Sequence, residues 1–309
     1  MIERPAPIAH GRKEWPVDLG RAKGRATLLA SFVLLAVAIS AADAGPLSIV
    51  AAENFYGDIA RQIGGADVAV TSILNSPDRD PHEFETSPST ARAFARAAVV
   101  IYNGADYDLW ATKLLTALSS PPRQTIEVAD LTGAKPGDNP HVWYDPDTAA
   151  KLAETLADKL ALLDPSHRAG YQHRLAAFER SLKPLAEQIE ELRRKNRGMP
   201  VTATEPVFGY MAAALGFEMR NAGFQRAVMN DTEPSPANIA AFENDLRSRA
   251  VKVLIYNRQT TDALTLRMRA IAQQSGIPVV GVTETEPAGE DYQQWMRSQL
   301  EAIDRALTH

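Results

Sequence analysis

The sequence predicts an α/β protein made of two Rossmann-like lobes, each a mostly parallel sheet flanked by helices, joined by one long rigid helix. Three observations predict it. Short apolar runs alternate with helix-like stretches from residue 47 almost to the C-terminus, which is the rhythm of strand-helix-strand units. The alternation is interrupted once, between Asp147 and Arg197, by residues with helical periodicity only. The chain has 309 residues, 45% of them hydrophobic and 23% charged, an ordinary globular composition with enough apolar side chains for a sizeable core.

The elements follow in order. Leu47 to Ala51 reads as a strand, Phe55 to Ile63 as a helix closed by Gly64 and Gly65, and Val68 to Leu74 as a second strand. Ser87-Pro88 opens the next helix, because a serine hydroxyl satisfies free helix N–H groups and the fixed φ of proline suits the first turn. Val99 to Tyr102 is a third strand ending at Asn103-Gly104, followed by a helix from Trp110 to Leu118 and a fourth strand from Gln124 to Val128. The helical stretch then divides at Asp164-Pro165-Ser166. In its second piece Leu175, Phe178, Leu182, Leu185, Ile189 and Leu192 recur every three or four residues, forming one apolar stripe on a helix of about 45 Å at 1.5 Å per residue. Pro184 lies inside the stripe and is expected to kink it. The stripe is too short for sustained heptads, so it reads as packing against two flanking lobes in a monomer. After Gly198 come strands at Val201 to Thr204, Val251 to Tyr256 and Val279 to Val282. Helices lie near Val207 to Leu215, Ala237 to Arg249 and Asp262 to Ser275, and a last amphipathic one runs from Tyr292 to Leu307. The expected division is a leader over 1–44, a first lobe over 45–146, linking helices over 147–197 and a second lobe over 198–309. Ligands of such sheets bind at the carboxyl ends of the strands, so the expected site is the cleft between the lobes.

Composition excludes several functions. The net charge of -5 provides no global positive field, so no nucleic-acid partner is expected. With no cysteine, the chain has no disulfide, thiolate metal site, thiol nucleophile or lipidated N-terminal cysteine. The N-terminus reads as an export signal. Arg12, Lys13, Arg21, Lys23 and Arg25 precede an apolar run from Ala26 to Ala42, and Ala42-Asp43-Ala44 supplies small residues for cleavage before Gly45. The run is at the lower length limit for spanning a bilayer and is diluted by Ser31 and Ser40, so a cleaved signal peptide and a periplasmic product are expected.

Of the six histidines, His10 belongs to the leader and His309 is terminal. His167 and His173 are six residues apart on a helix, about 240° around its axis, and cannot converge on one ion. His82 and His141 each follow a proline in a polar loop, Asp80-Pro81-His82-Glu83-Phe84-Glu85 and Asn139-Pro140-His141-Val142-Trp143, and a proline lowers the ordering cost of presenting a ligand. Glu205 follows a strand and precedes Pro206, while Glu284 follows the late strand Val279 to Val282; Glu286 and Glu290 compete with Glu284.

These segments, with Asp145-Pro146, the long helix and Thr204-Glu205-Pro206-Val207-Phe208-Gly209-Tyr210, resemble the zinc and manganese substrate-binding proteins of bacterial ABC importers. The resemblance covers nearly all of residues 46 to 308. It implies metal ligands at His82, His141 and Glu205, with a fourth at Glu284, where the family usually has aspartate. It also implies limited lobe movement and delivery of the ion to an ABC permease in the membrane. Two imidazoles and two carboxylates suit manganese, zinc or ferrous iron. By resemblance a third histidine accompanies zinc and a glutamate there often accompanies manganese or iron, so Glu205 tilts the choice toward manganese, with zinc close behind. A carboxylate able to bind through two oxygens favours the larger coordination number of that ion. The segment from Leu131 to Pro140 has no histidine, whereas zinc members of the family often carry a histidine-rich loop there. A zinc-dependent hydrolase with Glu83 as base is the enzyme alternative, but H-E-x-x-H, G-x-S-x-G and the P-loop are all absent. A protein of the same fold that carries a metal complex, or serves in adhesion, is the other alternative.

Overall fold

The structure, a computed structural model, describes residues 45–75, 84–118, 124–260 and 262–308. The expected leader lies outside these residues. Two four-stranded sheets form, both entirely parallel. The first joins β1 (Leu47–Glu53), β2 (Val68–Leu74), β3 (Val99–Tyr102) and β4 (Gln124–Glu127) in the order β2-β1-β3-β4. The second joins β5 (Pro200–Ala203), β6 (Glu218–Arg220), β7 (Leu254–Asn257) and β8 (Val279–Val282) in the order β6-β5-β7-β8. Each sheet grows in one direction and then reverses, so a crevice opens at the carboxyl ends of β1 and β3 and another at those of β5 and β7.

The helices are α1 (Asn54–Gly64), α2 (Pro88–Arg96), α3 (Leu109–Ala117), α4 (Val128–Thr132), α5 (Thr148–Leu163), α6 (Arg168–Asn196), α7 (Gly209–Ala214), α8 (Ala222–Met229), α9 (Pro236–Arg247), α10 (Ala263–Gln274) and α11 (Tyr292–Thr308). Ser87 caps α2 by accepting from the Thr90 N–H at 3.1 Å, as the Ser-Pro pair predicts. Asp262 caps α10 through the N–H groups of Leu264 and Thr265, both at 2.9 Å. The sequence pattern missed β6 and α8. β6 is a three-residue edge strand with no buried residue, so it carries little apolar signal.

All four residues of β3 are buried, as expected for a strand covered on both faces. One hydrophobic core extends from Ile49 and Ile101 through Trp143, Tyr144, Leu156 and Phe178 to Val201, Ile255, Trp295 and Ile303, and so serves both sheets. Five residues of the predicted stripe on α6 are buried, and Leu182 packs partly buried against the same core. The lobes are tied by more than this helix. The Tyr144 hydroxyl donates to the Thr283 carbonyl at 2.7 Å, and the Tyr292 hydroxyl donates to the Trp143 carbonyl at 2.9 Å. α11, from the second half of the chain, thereby returns to pack against α6 and α1.

α6 runs through Pro184 as one 29-residue helix, about 44 Å long. Proline has no N–H for the Arg180 carbonyl four residues earlier. Pro184→Ala restores that donor and is expected to stabilise the protein by about 1–3 kcal/mol in urea unfolding. A loss of stability would mean that the packing of α6 depends on the shape imposed by the proline.

Candidate metal centre

His141 sits in the loop between α4 and α5, just before a short 3-10 turn whose Trp143 and Tyr144 are fully buried. These two rings anchor the loop in the core, and the His141 ring is itself 0% exposed. Its Nδ1 lies 2.6 Å from Asn139 Oδ1. The Asn139 amide has only one workable orientation, because its Nδ2 donates to the Pro206 carbonyl at 2.8 Å. Oδ1 is therefore the acceptor, Nδ1 carries the imidazole proton, and Nε2 presents its lone pair. That Nε2 is buried without a hydrogen-bond partner, 3.4 Å from Glu284 Oε2. The loop is also held from the first sheet, where Asn103 at the end of β3 donates to the Pro140 carbonyl at 2.8 Å.

Glu205 follows β5 in an extended conformation, as expected before a proline. It occupies the cap position of the next turn, yet its side chain makes no capping bond. The carboxylate turns instead to Asn257 at the carboxyl end of β7. Asn257 Nδ2 donates to Glu205 Oε2 at 2.9 Å and to Glu284 Oε1 at 2.5 Å, and Thr260 Oγ1 donates to Glu205 Oε2 at 3.2 Å. Asn257 Oδ1 accepts from the Gln259 N–H at 3.0 Å, which turns its Nδ2 toward the two carboxylates. Glu284 is 0% exposed. Its N–H donates to Gln259 Oε1 at 2.6 Å, and its Oε2 accepts from the Tyr107 hydroxyl at 2.9 Å.

His141, Glu205 and Glu284 each offer one ligand atom, and these atoms all lie within 4.8 Å of one another. Among the described residues this is the one such group of three or more. Two buried carboxylates facing an imidazole lone pair form a set of acceptors that a cation satisfies. The donors are nitrogen and oxygen without sulfur, the set expected for zinc, manganese or iron.

The other candidates go elsewhere. His82 and Glu83 lie outside the described residues. Glu286 exchanges backbone hydrogen bonds with the Asn54 side chain at 2.7 and 3.0 Å. It lines a separate cavity of about 460 Å³ with Asn54, Asp58, Arg61 and Glu290. Burial, with Asp58 nearby, pushes its carboxyl up to about 9, so it is neutral at pH 7. His173 is exposed on α6. His167 sits 2.5 Å from Asp164 and 3.8 Å from Asp67, so it is paired at the α5–α6 turn rather than merely solvated.

Sequence reasoning missed the residues that orient these three side chains, namely Asn139, Tyr107, Asn257 and Thr260. Asn257 carried a signal, since it ends a strand at the crevice of a parallel sheet. Tyr107 bonds Glu284, and Trp143 is buried with its ring 5.2 Å from that of His141. Trp110 packs 4.6 Å from Phe84 and 5.7 Å from Phe94. Among the described residues no helix is long and apolar enough to cross a membrane.

Comparison with known proteins adds four likenesses. The family model described as zinc-uptake complex component A, periplasmic, matches residues 49–306. The metal ABC transporter substrate-binding lipoprotein SloC of Streptococcus mutans is 25% identical over 283 residues, covering 85% of this chain and 90% of SloC. The manganese ABC transporter substrate-binding lipoprotein PsaA of Streptococcus pneumoniae is 24% identical over 312 residues, covering 91% of this chain and 98% of PsaA. Among solved structures, the periplasmic zinc-binding protein TroA of Treponema pallidum superposes with a TM-score of 0.72 at 18% identity, covering 85% of this chain and 99% of TroA.

Proposed function

This chain belongs to the periplasmic zinc-uptake component A family, and on that premise we propose that it captures one divalent transition-metal ion and delivers it to an ABC permease. The ion is manganese or zinc, with ferrous iron in the same chemical class. It is cargo rather than a resident cofactor, so the protein is an import component and not a hydrolase. The ligands are His82, His141, Glu205 and Glu284, three of them from the buried group described above and His82 from its motif. The observation that carries the reading is the buried lone pair of His141 Nε2, without a hydrogen-bond partner and aimed at two carboxylates. In this reading residues 1–44 are a cleaved signal peptide, 45–146 and 198–309 are the lobes, and 147–197 link them. The exported product works in the periplasm as a monomer without nucleic acid. The relatives carry lipoprotein names, whereas a chain without cysteine has no site for thioether lipidation.

The test is elemental analysis of the chain from Gly45 to His309 purified without chelator. The expected result is one equivalent of metal, lost when His82 and His141 are both replaced by alanine. A metal-free protein that no divalent ion stabilises against heat would overturn the proposal.

A further inference from the structure

The cavity that Glu286 lines holds about 460 Å³, within the range of small-molecule sites, and its walls come from both halves of the chain. Asp58 and Arg61 belong to α1, Ser72 to β2, and Glu286 and Glu290 to the loop before α11. Glu286 is 6% exposed, and its Oε2 is buried without a hydrogen-bond partner. Ser72 Oγ is likewise buried without one. Two such atoms on one cavity call for a polar occupant, because a buried polar group left unpaired loses its hydration and gains nothing in return.

Opposite charges line this cavity without neutralising one another. Asp58 and Arg61 are three residues apart on α1 and so share a face, yet the Arg61 guanidinium makes no ion pair or side-chain hydrogen bond among the described residues. Asp58 Oδ2 accepts from Gln62 Nε2 at 2.6 Å and from the Tyr292 N–H at 3.1 Å, which fixes that carboxylate in the wall. Glu290 Oε2 accepts only from Ser298 Oγ, at 3.4 Å. A purely anionic ligand meets the Asp58 and Glu290 carboxylates, and a purely cationic one meets an unpaired guanidinium. A molecule carrying both charges satisfies both signs. We propose that this cavity is a second binding site and that it takes a zwitterion of the α-amino acid class. The Arg61 guanidinium and the Ser72 hydroxyl hold its carboxylate, Asp58 and Glu290 hold its ammonium, and Glu286 Oε2 gains the partner it lacks. The assignment is independent of the metal reading, since none of these side chains belongs to the group of His141, Glu205 and Glu284.

The test is calorimetric titration of the metal-free protein with each of the twenty standard amino acids singly, and with acetate and methylamine as probes of one charge each. At least one amino acid is expected to bind saturably at one equivalent, with acetate and methylamine weaker by about tenfold or more, the loss expected when one charge-assisted contact is missing. Arg61→Ala should weaken the amino acid by about tenfold or more and Ser72→Ala by about threefold. Arg61 is exposed on α1, so its removal leaves the core intact, and thermal unfolding checks that both variants fold. Failure of all twenty amino acids to bind would overturn the proposal without any variant. Acetate or methylamine binding as tightly as the amino acid would overturn the zwitterion, and unchanged affinity in both variants would place the ligand elsewhere and sink the site.

Discussion

His141→Ala is expected to weaken divalent-metal binding by roughly a thousandfold, about 4 kcal/mol, a quarter of the binding free energy typical of a four-ligand zinc site. The size follows from how completely the fold prepares this one nitrogen. The ring is fully buried, its Nδ1 is committed to Asn139 and its Nε2 has no hydrogen-bond partner. The lone pair is thus buried and oriented before any ion arrives. Asn139→Ala leaves the imidazole in place but frees its tautomer and orientation, and a loss of about 10–100-fold is expected, the usual cost of removing a ligand's supporting bond. His167→Ala should leave affinity unchanged, because His167 serves Asp164 and Asp67 at a helix turn. Titration against a chelating dye measures all three. Equal losses across the three variants would mean that the ion binds elsewhere or is held by surface charge.

Replacing Glu53 by glutamine should remove a large pH dependence from the stability of the metal-free protein. Glu53 ends β1 with 0% exposure, beside Asp108 at 1%. The Asp108 carboxylate accepts from the N–H groups of Asn103 at 2.6 Å and Gly104 at 2.8 Å, closing the turn that carries Tyr107. Burial pushes Asp108 up to about 6 despite those two donors. Burial, then the Asp108 carboxylate, raises Glu53 well above the usual carboxylate range. Above the ordinary carboxylate value the unfolded chain ionises Glu53 while the raised value of the folded protein keeps it protonated to higher pH, so folding takes up a proton in that range. The stability associated with Glu53 is present in full below its ordinary value and is lost as pH rises, at up to about 1.4 kcal/mol per pH unit.

Glu53→Gln keeps the shape and cannot ionise. Relative to wild type it should be equally stable near pH 4 and progressively more stable at pH 6, 7 and 8. Urea unfolding with chelator present compares the two profiles, and the difference cancels every titrating group except Asp108, which is coupled to Glu53 and belongs to the same effect. Parallel profiles would show that Glu53 is ionised in the folded protein and held by a partner other than Asp108.

The sequence by itself determined the α/β rhythm, the one helical interruption and the positions of most strands, because buried parallel strands must be continuously apolar and helices must repeat every 3.6 residues. It also marked His141, Glu205 and Glu284 as candidates, less through their spacing than through the family resemblance of the segments that carry them. The edge strand β6 left none, being short and without a buried residue. The choice between Glu284 and Glu286 was likewise not local. Two residues apart in one loop, they look alike in sequence, yet Glu284 meets Asn257 and Tyr107 while Glu286 faces Asn54 in another cavity. Tertiary structure alone decided that, together with the tautomer of His141 and the single oxygen that each carboxylate turns to Asn257. These are set by hydrogen bonds between residues from 27 to 232 positions apart in the chain, and the pattern around any one residue holds no record of a partner that distant.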